Sequence, residues 1–252
     1  MSEEKKGQSQ EVESGRKEKG FIEEFLVDII NLDRGLPATY IDMFRKPDVV
    51  VSSYFTDKGR YVTPLRYTIF LATLVTLITT YFIDYGELFD SAFEGIEADT
   101  DNPLFATEGG RLYFSKVKEV GVLFSTKFVA FNYILLLAPC ISLSTFFFFK
   151  KIKPRFVEHF VLNVYYGAQL TTFSIITVPI MVYTQSFEYI FTISIITQIV
   201  ASLWVYRKYL ELNGLKGYLK ATFSYLIGYV FYSIASAIVM YGVAAILYFT
   251  EN

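Results

Sequence analysis

The distribution of charge along the chain predicts an all-α fold, a polytopic transmembrane helical bundle with about five spans and short amphipathic interfacial helices. The 252 residues are 53% hydrophobic and 19% charged. Five stretches nevertheless contain no Asp, Glu, Lys or Arg, namely 67–83, 128–149, 160–183, 189–206 and 221–249. A soluble helix is apolar along one stripe, whereas these segments are apolar on every face. Since about 20 apolar residues cross a bilayer core of roughly 30 Å, each stretch is a candidate span.

The predicted transmembrane domain covers 65–252. Its spans are expected at about 65–83, 128–149, 160–183, 189–206 and 221–249, and 84–127 is the one large external loop. The first span reaches back to Leu65 if the Arg66 side chain extends to the headgroups. Pro139 and Pro179 are expected to kink the second and third spans, because proline removes a helical hydrogen bond. Three tyrosines near span ends are expected to act as interfacial anchors, namely Tyr183, Tyr189 and Tyr206.

The positions of the basic residues predict the orientation. Of the 23 Lys and Arg residues, 19 lie before the first span or in 150–159 and 207–220, and four lie in 84–127. Positively charged connections remain in the cytoplasm. The amino terminus is therefore predicted to be cytoplasmic and the carboxyl terminus external.

The residues before the first span divide into two parts. Residues 1–20 are polar and lack an apolar signal-peptide core, so they are expected to form a disordered cytoplasmic tail. Residues 21–64 carry apolar positions at helical spacing, interrupted by Gly35 and Pro47. Such helices suit the headgroup layer, where they would contact anionic lipids. They could equally pack on the cytoplasmic ends of the spans, and the sequence leaves both interpretations open.

Several short motifs resemble a bacterial integral membrane family known as domain of unknown function 3667. The matching positions lie before the first span and at the start of the third: Arg34, Gly35, Pro47, Tyr54, Gly59, Arg60, Tyr61, Pro64, Glu158 and His159. A Tyr-rich stretch over 209–218 is also similar. The resemblance implies a multi-pass protein of the cell (inner) membrane and assigns no activity. Many members begin with a Cys-x-x-Cys zinc ribbon, which this sequence lacks.

Composition excludes several kinds of site. One Cys and one His exclude an intramolecular disulfide, a Cys-based zinc site and a His-pair metal motif. A net charge of −2 argues against nucleic-acid binding. The sequence contains no recognisable catalytic triad, phosphate-binding loop or cofactor motif. We therefore predict no catalytic residues, no metal site and no cofactor. Glu158 and His159 are the only candidate acid–base pair, and the sequence favours an interfacial, structural role for them.

The five charge-free stretches within the predicted spans contain amides and hydroxyls, and the one charged residue in the predicted spans is Arg66 at the start of the first. Pumps and proton-coupled transporters usually keep buried charges in their pathway. Asn132, Asn163 and Gln169 could line a polar membrane cavity, although such side chains more often form hydrogen bonds between helices. Small residues in the last span, such as Gly228, permit close helix approach, either within the bundle or in a homo-oligomer.

These observations favour a non-catalytic protein that organises the membrane or binds partner proteins. Its expected partners are the lipid bilayer, anionic lipid headgroups and other membrane proteins, with no nucleic acid. A transporter of a small solute or lipid is the alternative. A membrane enzyme that uses Glu158 and His159 is the third interpretation.

Overall fold

The computed structural model describes residues 35–57, 59–97, 107–184 and 187–251. These ranges contain helices and short connections without a strand, which confirms the predicted all-α fold for this part of the chain. The predicted tail 1–20 and the segment 21–34, which includes Arg34, lie outside the described residues. The helices are α1 (Gly35–Arg45), α2 (Pro47–Thr56), α3 (Pro64–Phe82), α4 (Tyr85–Glu97), α5 (Glu108–Thr126), α6 (Val129–Phe149), α7 (Phe156–Thr171), α8 (Ser174–Thr184), α9 (Phe187–Tyr209) and α10 (Gly214–Glu251).

Three helices in the described ranges are long and apolar enough to cross a membrane. They are α3 with 19 residues, α6 with 21 and α10 with 38. Their length and composition indicate a membrane protein. The predicted intervals 65–83 and 128–149 agree with α3 and α6 to within one residue at each end. Pro64 opens α3, where the missing proline N–H leaves no helical acceptor unpaired.

Helix α6 widens ahead of Pro139. Residues Asn132–Leu137 form a π-helical segment, and the backbone N–H of Ala138 donates to the carbonyl of Tyr133. Pro139 has no N–H and its ring crowds the carbonyl one turn earlier. The wider turn accommodates this change, and the helix then continues to Phe149.

The last helix extends beyond its predicted span 221–249 and shortens the predicted connection 207–220. Gly214 opens α10 with a φ of 62°, a left-handed conformation that glycine adopts without strain. At 1.5 Å per residue, 38 residues span roughly 57 Å. Helix α10 is therefore longer than a perpendicular crossing of a hydrocarbon core of roughly 30 Å needs.

The sequence predicted one continuous span over 160–183. The structure instead has two helices there, separated at Thr172 and Phe173. The Thr172 hydroxyl donates to the carbonyl of Gln169 at 2.7 Å. The backbone N–H of Phe173 donates to the carbonyl of Leu170 at 3.0 Å, which is a tighter turn than an α-helix has. Threonine hydroxyls compete for helical carbonyls in this way. The break therefore comes well before Pro179, where a kink was predicted.

The segment 84–127, which was predicted as the one large external loop, contains α4 and α5. Helix α5 packs along the C-terminal half of α10. Phe114, Val117 and Val120 of α5 are buried with Ala244 of α10. Burial of this apolar stripe accounts for the docking, because an amphipathic helix needs a partner for its apolar face.

The basic connections meet at one end of the bundle. The Lys153 Nζ lies 4.6 Å from the centre of the Tyr209 ring, and the Lys220 Nζ lies 4.7 Å from that of Phe149. Helices α1 and α2 pack at the same end, against α7 and α9. The opposite end carries α4, α5 and the terminus of α10, where the ammonium of Lys116 contacts the Glu251 carboxylate.

Candidate functional site

Helix α7 lies at the centre of the bundle. Every residue from Val161 to Thr171 is buried, so the helix is enclosed on its whole circumference. It packs against α1, α2, α3, α6 and α9. Polar side chains on α7 are consequently removed from water and need protein partners.

Asn163 is the centre of a buried hydrogen-bond network, which we call the Asn163 network. Its Nδ2 lies 3.1 Å from the Ser142 Oγ, 3.2 Å from the Thr145 Oγ1 and 2.9 Å from the His159 carbonyl oxygen. The Tyr206 hydroxyl donates to its Oδ1 at 2.6 Å. Through these four partners one amide links α6, α7 and α9.

Tyr206 does not act as the interfacial anchor that the sequence analysis predicted. Its ring is fully buried and its hydroxyl faces Asn163. A tyrosine can occupy a buried position when its hydroxyl finds an acceptor. Tyr206 was predicted to lie at the membrane interface because the charge-free stretch 189–206 ends there.

The candidate acid–base pair does not converge. The His159 ring is fully buried, and its Nε2 lies 3.0 Å from the Lys153 carbonyl oxygen. The Glu158 carboxylate instead accepts from the backbone N–H of Arg155 at 3.3 Å, which caps the start of α7. A carbonyl only accepts, so the His159 Nε2 carries the proton. Its Nδ1 has no hydrogen-bond partner among the described residues.

A second group of polar contacts joins the middle of the bundle. The Tyr67 hydroxyl of α3 donates to the Gln169 Oε1 of α7. The Tyr225 hydroxyl of α10 donates to the Gln198 Oε1 of α9 at 2.8 Å. Sequence reasoning did not identify these tyrosines. Both tyrosines lie inside charge-free stretches, where a buried phenol needs a hydrogen-bond acceptor, and this position could have identified them.

The three residues proposed for a polar membrane cavity have different surroundings: neither of the two apolar grooves described here contains all three of them. Asn163 belongs to the Asn163 network and lines neither of the grooves described next. Asn132 donates from Nδ2 to the Tyr232 hydroxyl at 3.0 Å and borders an apolar groove of about 410 Å³ between α5, α6 and α10. Gln169 borders a different groove at the junction of α1, α7 and α9.

We call this second cavity the inner groove. It measures about 500 Å³, and its walls are almost entirely apolar. The residues that define it come from α1, α7, the α7–α8 turn and α9: Met43, Phe44, Tyr166, Gln169, Leu170, Phe173, Ile196, Thr197, Val200, Ala201, Trp204 and Val205. The groove is lateral, since Val200 is 62% exposed and Trp204 is 49% exposed.

The family-motif residues before the first span build the connection between α2 and α3. Tyr61 donates from its hydroxyl to the Asp42 Oδ2 at 2.6 Å, and the Arg60 guanidinium lies 5.3 Å from the centre of the Tyr61 ring. This hydrogen bond, together with the Lys46 charge, holds the pKa of Asp42 below its ordinary value of 3.8. Burial, followed by the Asp42 contact, raises the pKa of Tyr61. Gly59 lies in the turn that precedes these two residues.

The other motif residues in the described part of this region lie at helix starts or pack against the core. Gly35 begins α1 beside Val62, Pro47 is buried at the start of α2, and Pro64 opens α3. Tyr54 packs against the main core and meets the Phe55 ring edge-on. The motif thus fixes α1 and α2 to the bundle and does not gather acid–base or metal-binding groups. No cluster of three or more metal-binding side chains occurs within the described ranges.

Comparison with protein-family models, with curated proteins and with solved structures found no match. The resemblance to domain of unknown function 3667 therefore rests on its motif residues. The function has to be inferred from the contacts, grooves and charges of the bundle.

Proposed function

We propose that this chain is a non-catalytic integral membrane protein that acts by binding lipids or partner membrane proteins. The Asn163 network is the observation that carries the proposal. A transport path or a catalytic site would need polar groups that face a substrate, whereas here Asn163 and Tyr206 bind each other across helices. The described residues also form two apolar grooves that open to the side of the bundle.

The proposed arrangement is five spans in a bacterial inner membrane, with a cytoplasmic amino terminus and an external carboxyl terminus. In this arrangement α7 together with α8, and then α9, cross the membrane in addition to α3, α6 and α10. The clustering of basic connections at one end supports it, because such residues favour the cytoplasmic side. Membership of the family known as domain of unknown function 3667 is part of the same proposal and rests on the motif residues.

A lipid transporter is the second candidate, since both grooves are apolar and lateral. An enzyme is less well supported because the two candidate groups diverge, with His159 bound to a carbonyl and Glu158 at a helix cap. No described contact brings either side chain to a groove wall.

The test is to extract the full chain with its surrounding lipid in polymer-bounded discs. Mass spectrometry of retained lipids and proteins, compared with the bulk membrane, is expected to reveal enrichment of particular species. Reconstituted vesicles should show no protein-dependent transfer of a fluorescent lipid between leaflets. Absence of any enrichment would contradict the binding proposal, and rapid lipid transfer would replace it with the transporter.

A further inference from the structure

The inner groove continues into a polar pocket at the basic end of the bundle. Thr197, Val200, Ala201 and Trp204 recur at three- and four-residue spacing along α9, which places them on one helix face. Trp204 also borders the next pocket, whose other residues are Arg207, Lys208, Glu211, Leu212 and Asn213. An apolar wall therefore leads directly to two cationic side chains.

Helix α1 is fixed over this junction by two hydrogen bonds from α9. The Trp204 indole N–H donates to the Phe44 carbonyl oxygen at 2.8 Å, and the Lys208 ammonium donates to the Arg45 carbonyl oxygen. Both acceptors are carbonyls at the C-terminal end of α1, where helical partners are missing. A lysine ammonium has three N–H donors, and this contact uses one of them. The Trp204 and Lys208 contacts thus hold the end of α1 at the rim of the groove.

Charge identifies the occupant of this composite site. Arg207 and Lys208 outnumber the single acid, Glu211, in the lining of the polar pocket. A zwitterionic or uncharged lipid would gain little from this excess, whereas a phosphodiester with net negative charge would gain charge-assisted hydrogen bonds. The volume of the inner groove, about 500 Å³, lies within the usual range of small-molecule sites.

We propose that the site binds an anionic glycerophospholipid, with an acyl chain in the inner groove and the phosphate at Arg207 and Lys208. This inference rests on the proposed function and names the ligand class for one of its grooves. The lipid would come from the leaflet at the basic end of the bundle. By filling the space between α1 and α9, it would stabilise the docking of α1.

The chain provides its own probe, because Trp204 is the only tryptophan in the sequence. The full-length protein is reconstituted in phosphatidylcholine vesicles that contain increasing fractions of either brominated phosphatidylglycerol or brominated phosphatidylcholine. Bromine quenches indole fluorescence on contact. We expect the anionic lipid to quench Trp204 at a much lower fraction than the zwitterionic lipid. Inorganic phosphate should not reverse the quenching if the acyl chain contributes to binding.

Charge variants test the headgroup pocket in both directions. R207Q/K208Q should lower the preference for the anionic lipid about tenfold, since each cation near an anionic headgroup contributes appreciably. E211Q should increase the preference. K150Q/K151Q removes two cations from another connection at the same end and should leave the preference for the anionic lipid unchanged. R207Q alone retains the Lys208 contact with α1, so it still reports if the double variant folds poorly.

Equal quenching by the two lipids, or a preference that R207Q/K208Q and R207Q leave intact, would overturn the inference. Loss of the preference in K150Q/K151Q would also overturn the inference, because the preference would then come from the overall positive charge at this end and not from a specific site. The broader proposal is judged separately. Lipids or proteins enriched in the polymer-bounded discs, without anionic selectivity at Trp204, would preserve the binding function and remove this site from it.

Discussion

Asn163 contacts four hydrogen-bonding partners and is 3% exposed. In a bilayer no water is available to these groups. A polar group that loses its hydrogen-bond partner there stays unpaired, which costs free energy. The same amide fixes the orientation of Tyr206 on α9 and of Ser142 on α6. At the scale of single residues, buried polarity in this protein serves helix association.

Asn163→Ala is expected to lower the free energy of unfolding by about 1–3 kcal/mol, because the Tyr206 hydroxyl and its neighbours lose their shared partner. Thermal unfolding of the detergent-solubilised protein measures the change. Ser233→Ala is the matched control, since the Ser233 hydroxyl is exposed and donates to the Tyr229 carbonyl of its own helix. A variant at Asn163 with native stability would show that the network is dispensable.

At the scale of helices, α6 and α10 approach each other closely at Gly228. A Cβ at this position would lie 2.7 Å from the Ile141 Cα and 3.3 Å from the Cys140 carbonyl oxygen. Both atoms are backbone, so they cannot move aside as a flexible side chain would. The small residues of the last predicted span therefore serve packing inside the bundle at this point.

Gly228→Ala is expected to force α10 away from α6 and to destabilise the protein by about 1–3 kcal/mol, the usual cost of overpacking. Gly242→Ala on the same helix is the control, because a Cβ there meets nothing within 4 Å. It should be neutral or slightly stabilising, since alanine favours helix over glycine. Comparing the unfolding midpoints of the two variants gives the result, and equal midpoints would argue against a close α6–α10 contact in the membrane.

The two ends of the whole molecule differ in composition and in structure. One end holds the basic connections together with α1 and α2. The other holds α4 and α5, which are tied to each other by Lys118 and Asp90 at 2.6 Å and to the end of α10 by Lys116 and Glu251. These contacts join α4 and α5 to the C-terminal end of α10. In the proposed arrangement, the three therefore share one side of the membrane.

The proposed orientation predicts the behaviour of reporter fusions. Alkaline phosphatase, which folds only after export, should be active when fused after Asn252 and inactive when fused after Lys151. A β-galactosidase reporter should give the reverse pattern. A phosphatase fusion at the carboxyl terminus that expresses well but has no activity would contradict the external carboxyl terminus and, with it, the side assigned to α4 and α5.

The sequence by itself determined the helical class, the limits of α3 and α6, and the segregation of the basic residues. These features depend on local properties: runs without charge, proline at a helix start, and the number of cations in each connection. The start of α2 at Pro47 follows from the same reasoning. Periodicity and composition are readable from the chain because each residue contributes to them independently of distant contacts.

Only the tertiary structure decided which side chains meet. Tyr206 and Asn163 are 43 residues apart and Trp204 and Phe44 are 160 apart, so no local pattern could pair them. The break after Thr171, the docking of α5 on α10 and the joining of the inner groove to its basic pocket have the same origin. Each depends on how complete helices pack, and packing sets which polar groups are enclosed and which apolar faces stay open to lipid.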